Sequence, residues 1–243
     1  MIRAWGITDQ GKVRQQNQDA YYLDIQAEDL ALGLVCDGMG GARAGNVAST
    51  MAVAAFIETV NRMPGELREE PEAILAQGVE AANAAVYQRS HSDPDCWGMG
   101  TTMVGALVLG ETAYLINVGD SRAYAVTSNG IAQITRDHSL VEDMVRHGNL
   151  TPEEARNHPQ KNLITRALGT EEHARPDFYR QHLEPGDHLL LCSDGLSNVV
   201  SDQEMLYEVV HGGDQSDCCR RLLDIALSRG APDNVTCVLI QLK

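Results

Sequence analysis

The stretch Leu30-Ala-Leu-Gly-Leu-Val-Cys-Asp-Gly-Met-Gly-Gly41 has a counterpart in His188-Leu-Leu-Leu-Cys-Ser-Asp-Gly-Leu196. Each is an apolar run, residues 30–36 and 188–193, closed by an acid and a glycine, Asp37-Gly38 and Asp194-Gly195. Such a run, ended by a turn signal, predicts a buried strand that delivers a carboxylate to its end, followed by a glycine turn. A further strand pair, residues 102–109 and 112–118, is separated by Gly110-Glu111, which suits a tight hairpin, and it too ends in a turn bearing an acid, Gly119-Asp120. Residues 2–8, 122–127, 131–135 and 235–242 are also β-rich.

Working outward, helical spacing is clear at Val47, Met51, Ala54 and Ala55, at Leu75, Val79, Ala82 and Val86, and at Cys218, Leu222, Ile225 and Ala226. The second of these helices opens near Pro71, with Met63-Pro64-Gly65 separating it from the first. The third stops at Gly230, with Pro232 just beyond, and so places Asp233-Asn234 at the entrance to the last strand. Between residues 137 and 169 the pattern changes: His138, His147, His158 and the capping box Thr151-Pro-Glu-Glu154 predict a helix followed by a surface insert. There are no repeats and no linker. Hairpin succession with a few long helices predicts an α+β chain with antiparallel sheets and one domain, residues 1–243.

Composition narrows the function classes. With 34 Asp and Glu against 19 Lys and Arg, the 243-residue chain carries a formal charge of −15, which repels phosphate backbones and anionic lipid headgroups. Nucleic acid and membrane surfaces are therefore excluded as partners. At this length about 70% of the unfolded surface is removable, enough for a sizeable core. Residues 1–19 lack the layout of a signal peptide and no apolar stretch approaches membrane-spanning length, so a cytoplasmic location is expected. The six cysteines, Cys36, Cys96, Cys192, Cys218, Cys219 and Cys237, include no C-x-x-C pair and predict buried, inert thiols.

The chemistry-bearing feature is a set of acids in turns at strand ends or helix stops: Asp19, Asp37, Asp120, Asp194 and Asp233. One Asp before Gly is most often only a turn residue. Five brought together could not stay ionised without cations, and an all-oxygen set matches Mg²⁺ or Mn²⁺ better than Zn²⁺. Arg14, five residues before Asp19, offers a planar fork suited to a phosphate dianion; the other reading is a structural ion pair with one of the acids.

The segments Arg14-Gln-Gln-Asn-Gln-Asp19, Asp37-Gly-Met-Gly-Gly41, Gly119-Asp-Ser-Arg122, Ser193-Asp-Gly-Leu196 and Asp233-Asn-Val-Thr236 resemble, in this order, the motifs of the PPM family, the type 2C metal-dependent protein Ser/Thr phosphatases, in its bacterial stand-alone form. The resemblance spans roughly residues 3–242. It implies a central sandwich of two antiparallel β-sheets flanked by α-helices on both outer faces, with a two-metal centre at one end. It also implies that Asp37 bridges two Mg²⁺ or Mn²⁺ ions, that the Gly38 carbonyl ligates the first, and that Asp194 and Asp233 complete the second. Asp19 would reach the site through bound water, and Asp120 matches the position that helps hold a third, weaker ion. Thr101-Thr102 and His138-Ser139 resemble lesser landmarks of packing or support. The insert at about 143–166, closed by Ile164-Thr-Arg-Ala-Leu-Gly169, resembles the family's flap and is expected to select substrates.

The implied reaction is hydrolysis of phosphoserine and phosphothreonine monoesters by direct attack of a metal-bridging hydroxide, with Arg14 binding the phosphate and Asp37 and Asp194 placing the ions. Phosphorylated Ser/Thr proteins would be the substrates, a cognate Ser/Thr kinase the opposing partner, and the chain would act as a monomer. Met39 departs from relatives that carry His there as a proposed general acid, which leaves water or a histidine such as His138 to protonate the leaving group. A pseudophosphatase, binding phosphoproteins without turnover, is the non-enzyme alternative. A dinucleotide site on Gly38-Met-Gly-Gly-Ala-Arg-Ala-Gly45 fails on register, since Arg43 stands where the third glycine belongs.

Overall fold

Three layers of buried side chains, sorted by the period-2 alternation of the strands, explain the long apolar runs. In strand β3 (Leu30–Met39), Leu30, Leu32, Leu34 and Cys36 point one way, while Ala31 and Val35 point the other. Strand β11 (Val235–Leu242) repeats this, with Val235, Cys237 and Leu239 on one face and Val238, Ile240 and Leu242 on the other. Both faces of these strands are covered, so neither shows polar alternation. Each fully buried leucine contributes about 2 kcal/mol. The computed structural model describes the backbone of residues 1–243 and every side chain except those of residues 41–43 and 156.

The first sheet runs β1 (Ile2–Asp9), β11, β10 (His188–Cys192), β7 (Arg122–Thr127) and β8 (Gly130–Gln133). The second runs β2 (Asp19–Ala27), β3, β5 (Met103–Leu109), β6 (Thr112–Val118) and β9 (Asp177–His182), with the short β4 (Gly100–Thr101) beside the end of β3. Every pairing is antiparallel. Helices α1 (Gly41–Asn61), α2 (Glu66–Glu69) and α3 (Pro71–Ser92) close the outer face of the second sheet. Helices α6 (Asp194–Ser197), α7 (Asp202–His211) and α8 (Cys218–Ser228) close the outer face of the first. The expected four-layer sandwich is present.

Local signals act as expected in several places. Pro71 occupies the first turn of α3. Gly230, just past the Arg229 cap of α8, adopts a φ of 96°, a left-handed conformation that glycine enters freely. Thr151 caps α5 (Pro152–Arg156) through a capping box with Glu154, and α4 (Leu140–Arg146) is the expected helix before the insert. All six cysteines are buried free thiols.

One expectation needs correction. Gly38 and Gly195 are not turn residues: Gly38 continues β3 and Gly195 lies in α6. They are glycine because of space. A Cβ on Gly38 would stand 2.0 Å from the Gly45 carbonyl oxygen, and one on Gly195 1.8 Å from that of Asn234.

At the far end of the sandwich His188 opens β10, buried, with no hydrogen-bond partner for either ring nitrogen among the described residues. Burial holds its pKa below the ordinary 6.5. The folded chain therefore resists protonating His188 while the unfolded chain does not, and stability falls as pH drops below 6.5. His188→Leu is expected to stabilise the protein by about 1 kcal/mol at pH 7 and by more at pH 5, measured by urea unfolding. An unchanged or lower midpoint at both pH values contradicts this.

Candidate active site

Antiparallel register gathers the acids. Asp19 opens β2 directly opposite Asp37 near the end of β3. Cys192, two residues before Asp194, pairs with Cys237 on one side and with Arg122 on the other, so the end of β10 meets the entrance to β11 and the turn that carries Asp120. Asp37, Asp120, Asp194 and Asp233 line one cavity of about 790 Å³, together with Arg14, Gly38, Met39 and Thr102. Asp19 lies behind this wall, buried.

Like charges set directly across a strand pair repel, and burial withholds the water that would screen them. Burial first, then Asp19, Asp194, Asp120 and Asp233, push the Asp37 carboxyl well above the carboxylate range. Asp194 is raised by burial and by Asp233. Burial lifts Asp19 to about 7, despite hydrogen bonds from Thr236 and Ser193 that favour its ionised form. Asp120 also reaches about 7, through burial and then Asp194 and Asp137. Oδ1 of Asp19 and Oδ1 of Asp194 are buried with no hydrogen-bond partner among the described residues. Oxygen-only donors, unpaired lone pairs and suppressed ionisation all fit hard divalent cations. Among the described residues no three Asp, Glu, His or Cys side chains close into a ready-made cage; the acids ring an open cavity instead.

Arg14 reaches this cavity, and its Nη2 donates to Asp233 Oδ2 at 2.7 Å. The ion-pair reading of Arg14 is therefore realised. Its side chain remains 52% exposed, and exposed pairs are worth at most about 1 kcal/mol, so breaking this pair costs little.

The supporting residues were mostly missed by sequence reasoning. Ser193 and Thr236 hydroxyls donate to Asp19 Oδ2 at 2.8 and 2.6 Å. Asn198 Nδ2 donates to Asp194 Oδ2 at 3.0 Å. Thr102 accepts from the Asp37 amide at 2.9 Å and Thr101 donates to its carbonyl at 2.8 Å, which gives the Thr101-Thr102 landmark a concrete role. The one available signal was placement: Ser193 and Thr236 lie inside the acid-bearing motifs, while Asn198, Thr101 and Thr102 lie outside them.

His138 is buried away from the cavity. Its Nδ1 accepts from the Gly119 amide at 3.0 Å, and its Nε2 faces Asp177 at 3.2 Å and Arg166 at 3.3 Å. It braces the turn before Asp120 instead of facing substrate. Among the described residues that line the cavity there is no histidine, and Met39 stands in the wall. The insert contributes Asn162 and Ile164 to the same wall, tied down by the Leu140 amide to the Leu163 carbonyl and the Thr165 amide to the His138 carbonyl.

Known proteins share this fold and much of this sequence. The sequence profile of the family described as Protein phosphatase 2C matches residues 10–226. The chain is 40% identical over 239 residues to the serine/threonine protein phosphatase PstP of Mycobacterium tuberculosis, matching 98% of this chain and 45% of that longer protein. It is 37% identical over 235 residues to the serine/threonine phosphatase stp of Listeria welshimeri, matching 96% of this chain and 93% of that one. The chain thus spans about half the length of the first relative and nearly all of the second. Among solved structures, the catalytic domain of PstP in complex with two manganese ions superposes with a TM-score of 0.85 at 36% identity, covering 100% of this chain and 99% of that one.

Proposed function

Because the chain belongs to the protein phosphatase 2C family, we propose that it is a metal-dependent phosphatase acting on phosphoserine and phosphothreonine in proteins. The carrying observation is the ring of acids, in which Asp37, Asp120 and Asp194 are raised in pKa by burial and by neighbouring carboxylates, around a cavity that also holds a half-exposed arginine. Asp37, Asp194 and Asp233, with the Gly38 carbonyl, would hold two Mg²⁺ or Mn²⁺ ions; Asp19 would support them from behind and Asp120 would serve a third, weaker ion. When bound, such ions supply a nucleophile from water at neutral pH and offset the charge of the phosphoryl oxygens.

The chain's own residues do the rest. Arg14 leaves Asp233 and forks onto the phosphate, orienting it and stabilising charge that grows in the transition state. Thr101 and Thr102 fix the backbone of Asp37, while Ser193 and Thr236 fix Asp19, so the carboxylates need little reorganisation. With no histidine in the described wall, the proton for a serine or threonine leaving group comes from solvent, and aryl phosphates, which need little protonation, turn over faster. Asn162 and Ile164 present the insert, residues 143–166, to the side chains that flank the phosphate. No described helix is long and apolar enough to cross a membrane. The single domain, residues 1–243, works as a cytoplasmic monomer against a Ser/Thr kinase.

The test is hydrolysis of a phosphothreonine peptide with Mn²⁺, with and without EDTA. Turnover that EDTA abolishes supports the reading. Tight metal binding with no turnover favours the phosphoprotein-binding alternative.

A thermodynamic signature accompanies it. Asp19 and Asp120, both at about 7, are largely protonated at pH 6, and a cation must displace those protons to bind. The gain in Tm from 1 mM Mn²⁺ is therefore expected to be larger at pH 8 than at pH 6 in differential scanning fluorimetry. Equal gains at the two pH values contradict it.

A further inference from the structure

The loop between β1 and β2, residues 10–18, carries Arg14 without belonging to either strand, so something must hold it. The structure assigns that role to Asn234. Its side chain is buried and uses three of its hydrogen-bonding positions on this one loop. Nδ2 donates to the Gln10 carbonyl at 2.8 Å and to the Gln16 carbonyl at 2.9 Å, and Oδ1 accepts from the Gln18 amide at 2.9 Å. The three contacts bracket Arg14 on both sides. Inside the bracket, Gln10 Nε2 donates to the Arg14 carbonyl at 2.7 Å, and outside it Ser49 donates to the Gln18 carbonyl at 2.6 Å.

Asn234 follows Asp233, which pairs with Arg14 and lines the cavity. One short segment therefore presents a carboxylate to the site and, with the next side chain, fixes the backbone from which the guanidinium reaches the same place. An amide suits such a clamp, since it alone among side chains of this size donates twice and accepts on one rigid plane. Asn234 is thus a positioning residue that acts through Arg14 on phosphate, not on the metals. Loss of the clamp leaves Arg14 present and charged but free to wander, which costs affinity for the bound dianion.

This inference rests on the phosphate-binding role of Arg14, so its test reads binding and does not require turnover. Inorganic phosphate is titrated into the Mn²⁺-loaded full chain by calorimetry, and Mn²⁺ into the metal-free chain, for wild type, Asn234→Ala, Arg14→Ala and the double variant. Asn234→Ala is expected to weaken phosphate about tenfold and to change Mn²⁺ affinity by less than about twofold. In the Arg14→Ala background the same change is expected to weaken phosphate by less than about twofold, because residues acting as one unit are not additive.

Equal losses in both backgrounds overturn the proposal, as does a parallel loss of Mn²⁺ affinity, which would show Asn234 acting through Asp233. Should Asn234→Ala fail to fold, Asn234→Ser, which keeps one short donor and acceptor, is read in the same way: an intermediate loss that vanishes without Arg14 supports the assignment, and wild-type affinity overturns it. Failure of Arg14→Ala itself to weaken phosphate overturns the underlying role of Arg14. Absence of peptide hydrolysis by wild type, with phosphate binding as expected, sinks only the catalytic reading.

Discussion

Asp37→Asn lowers kcat for a phosphothreonine peptide by about a thousandfold or more and at the same time raises the Tm of the metal-free protein. The first effect follows from position. Asp37 faces Asp19, Asp194, Asp120 and Asp233 from the end of β3, and an uncharged amide there removes the central negative charge that draws cations into the ring. The second effect follows from cost. Burial and four neighbouring acids all oppose the charged form of Asp37, so in the metal-free protein at pH 8 folding must either hold that charge against them or take up a proton, a cost that Asn removes. Steady-state kinetics with Mn²⁺ and thermal melts in EDTA check the two halves separately. A variant that keeps its activity, or loses stability in EDTA, contradicts the account. Opposite movement of function and stability distinguishes a site residue from a core residue, whose loss lowers both.

Gly195→Ala has the second large effect. The added methyl would stand 1.8 Å from the Asn234 carbonyl oxygen, and both partners are constrained: Gly195 in α6 behind Asp194, and Asn234 by its three bonds to the Arg14 loop. Backbone cannot rotate aside as a side chain does, so the entrance to β11 must shift. A loss of about 3 kcal/mol is expected by urea unfolding, together with weaker phosphate binding, because Asp233 and the Arg14 loop move with that entrance. A fully stable variant contradicts the close approach.

Legibility in the sequence followed burial. The strands around Leu30 to Cys36 and His188 to Cys192 stood out because both of their faces are covered, which leaves no polar residue to break the run. Strand β9 escaped for the opposite reason: it lies at a sheet edge and exposes Phe178, Arg180 and His182, so it reads as surface. Strand β2 escaped because its polar residues Asp19, Asp24 and Gln26 mask an edge position, and α7 because its only fully buried side chains are Met205 and Val209.

The acids were legible as residues but not as a cluster, since what joins them is register. Asp19 stands opposite Asp37 only once β2 and β3 pair, and Arg14 meets Asp233 across 219 positions of chain. Gly38 and Gly195 were legible as glycines and misread as turns, because a sequence displays conformational freedom but not the carbonyl that will lie against the Cα. Thr102, Ser193, Asn234 and Thr236 stood in segments the sequence marked, but their roles did not show for a related reason: a hydroxyl or amide gains meaning from the atom it reaches.

The central claim is that one ring of acids at one end of the sandwich holds the cations. Anomalous diffraction at the manganese edge from crystals grown with Mn²⁺ and phosphate tests it directly. The account predicts two strong peaks in the cavity, both contacted by Asp37, with Asp194 and Asp233 as further ligands and Arg14 on the phosphate. No peak there, or ions bound elsewhere while Arg14 remains on Asp233 alone, would contradict it.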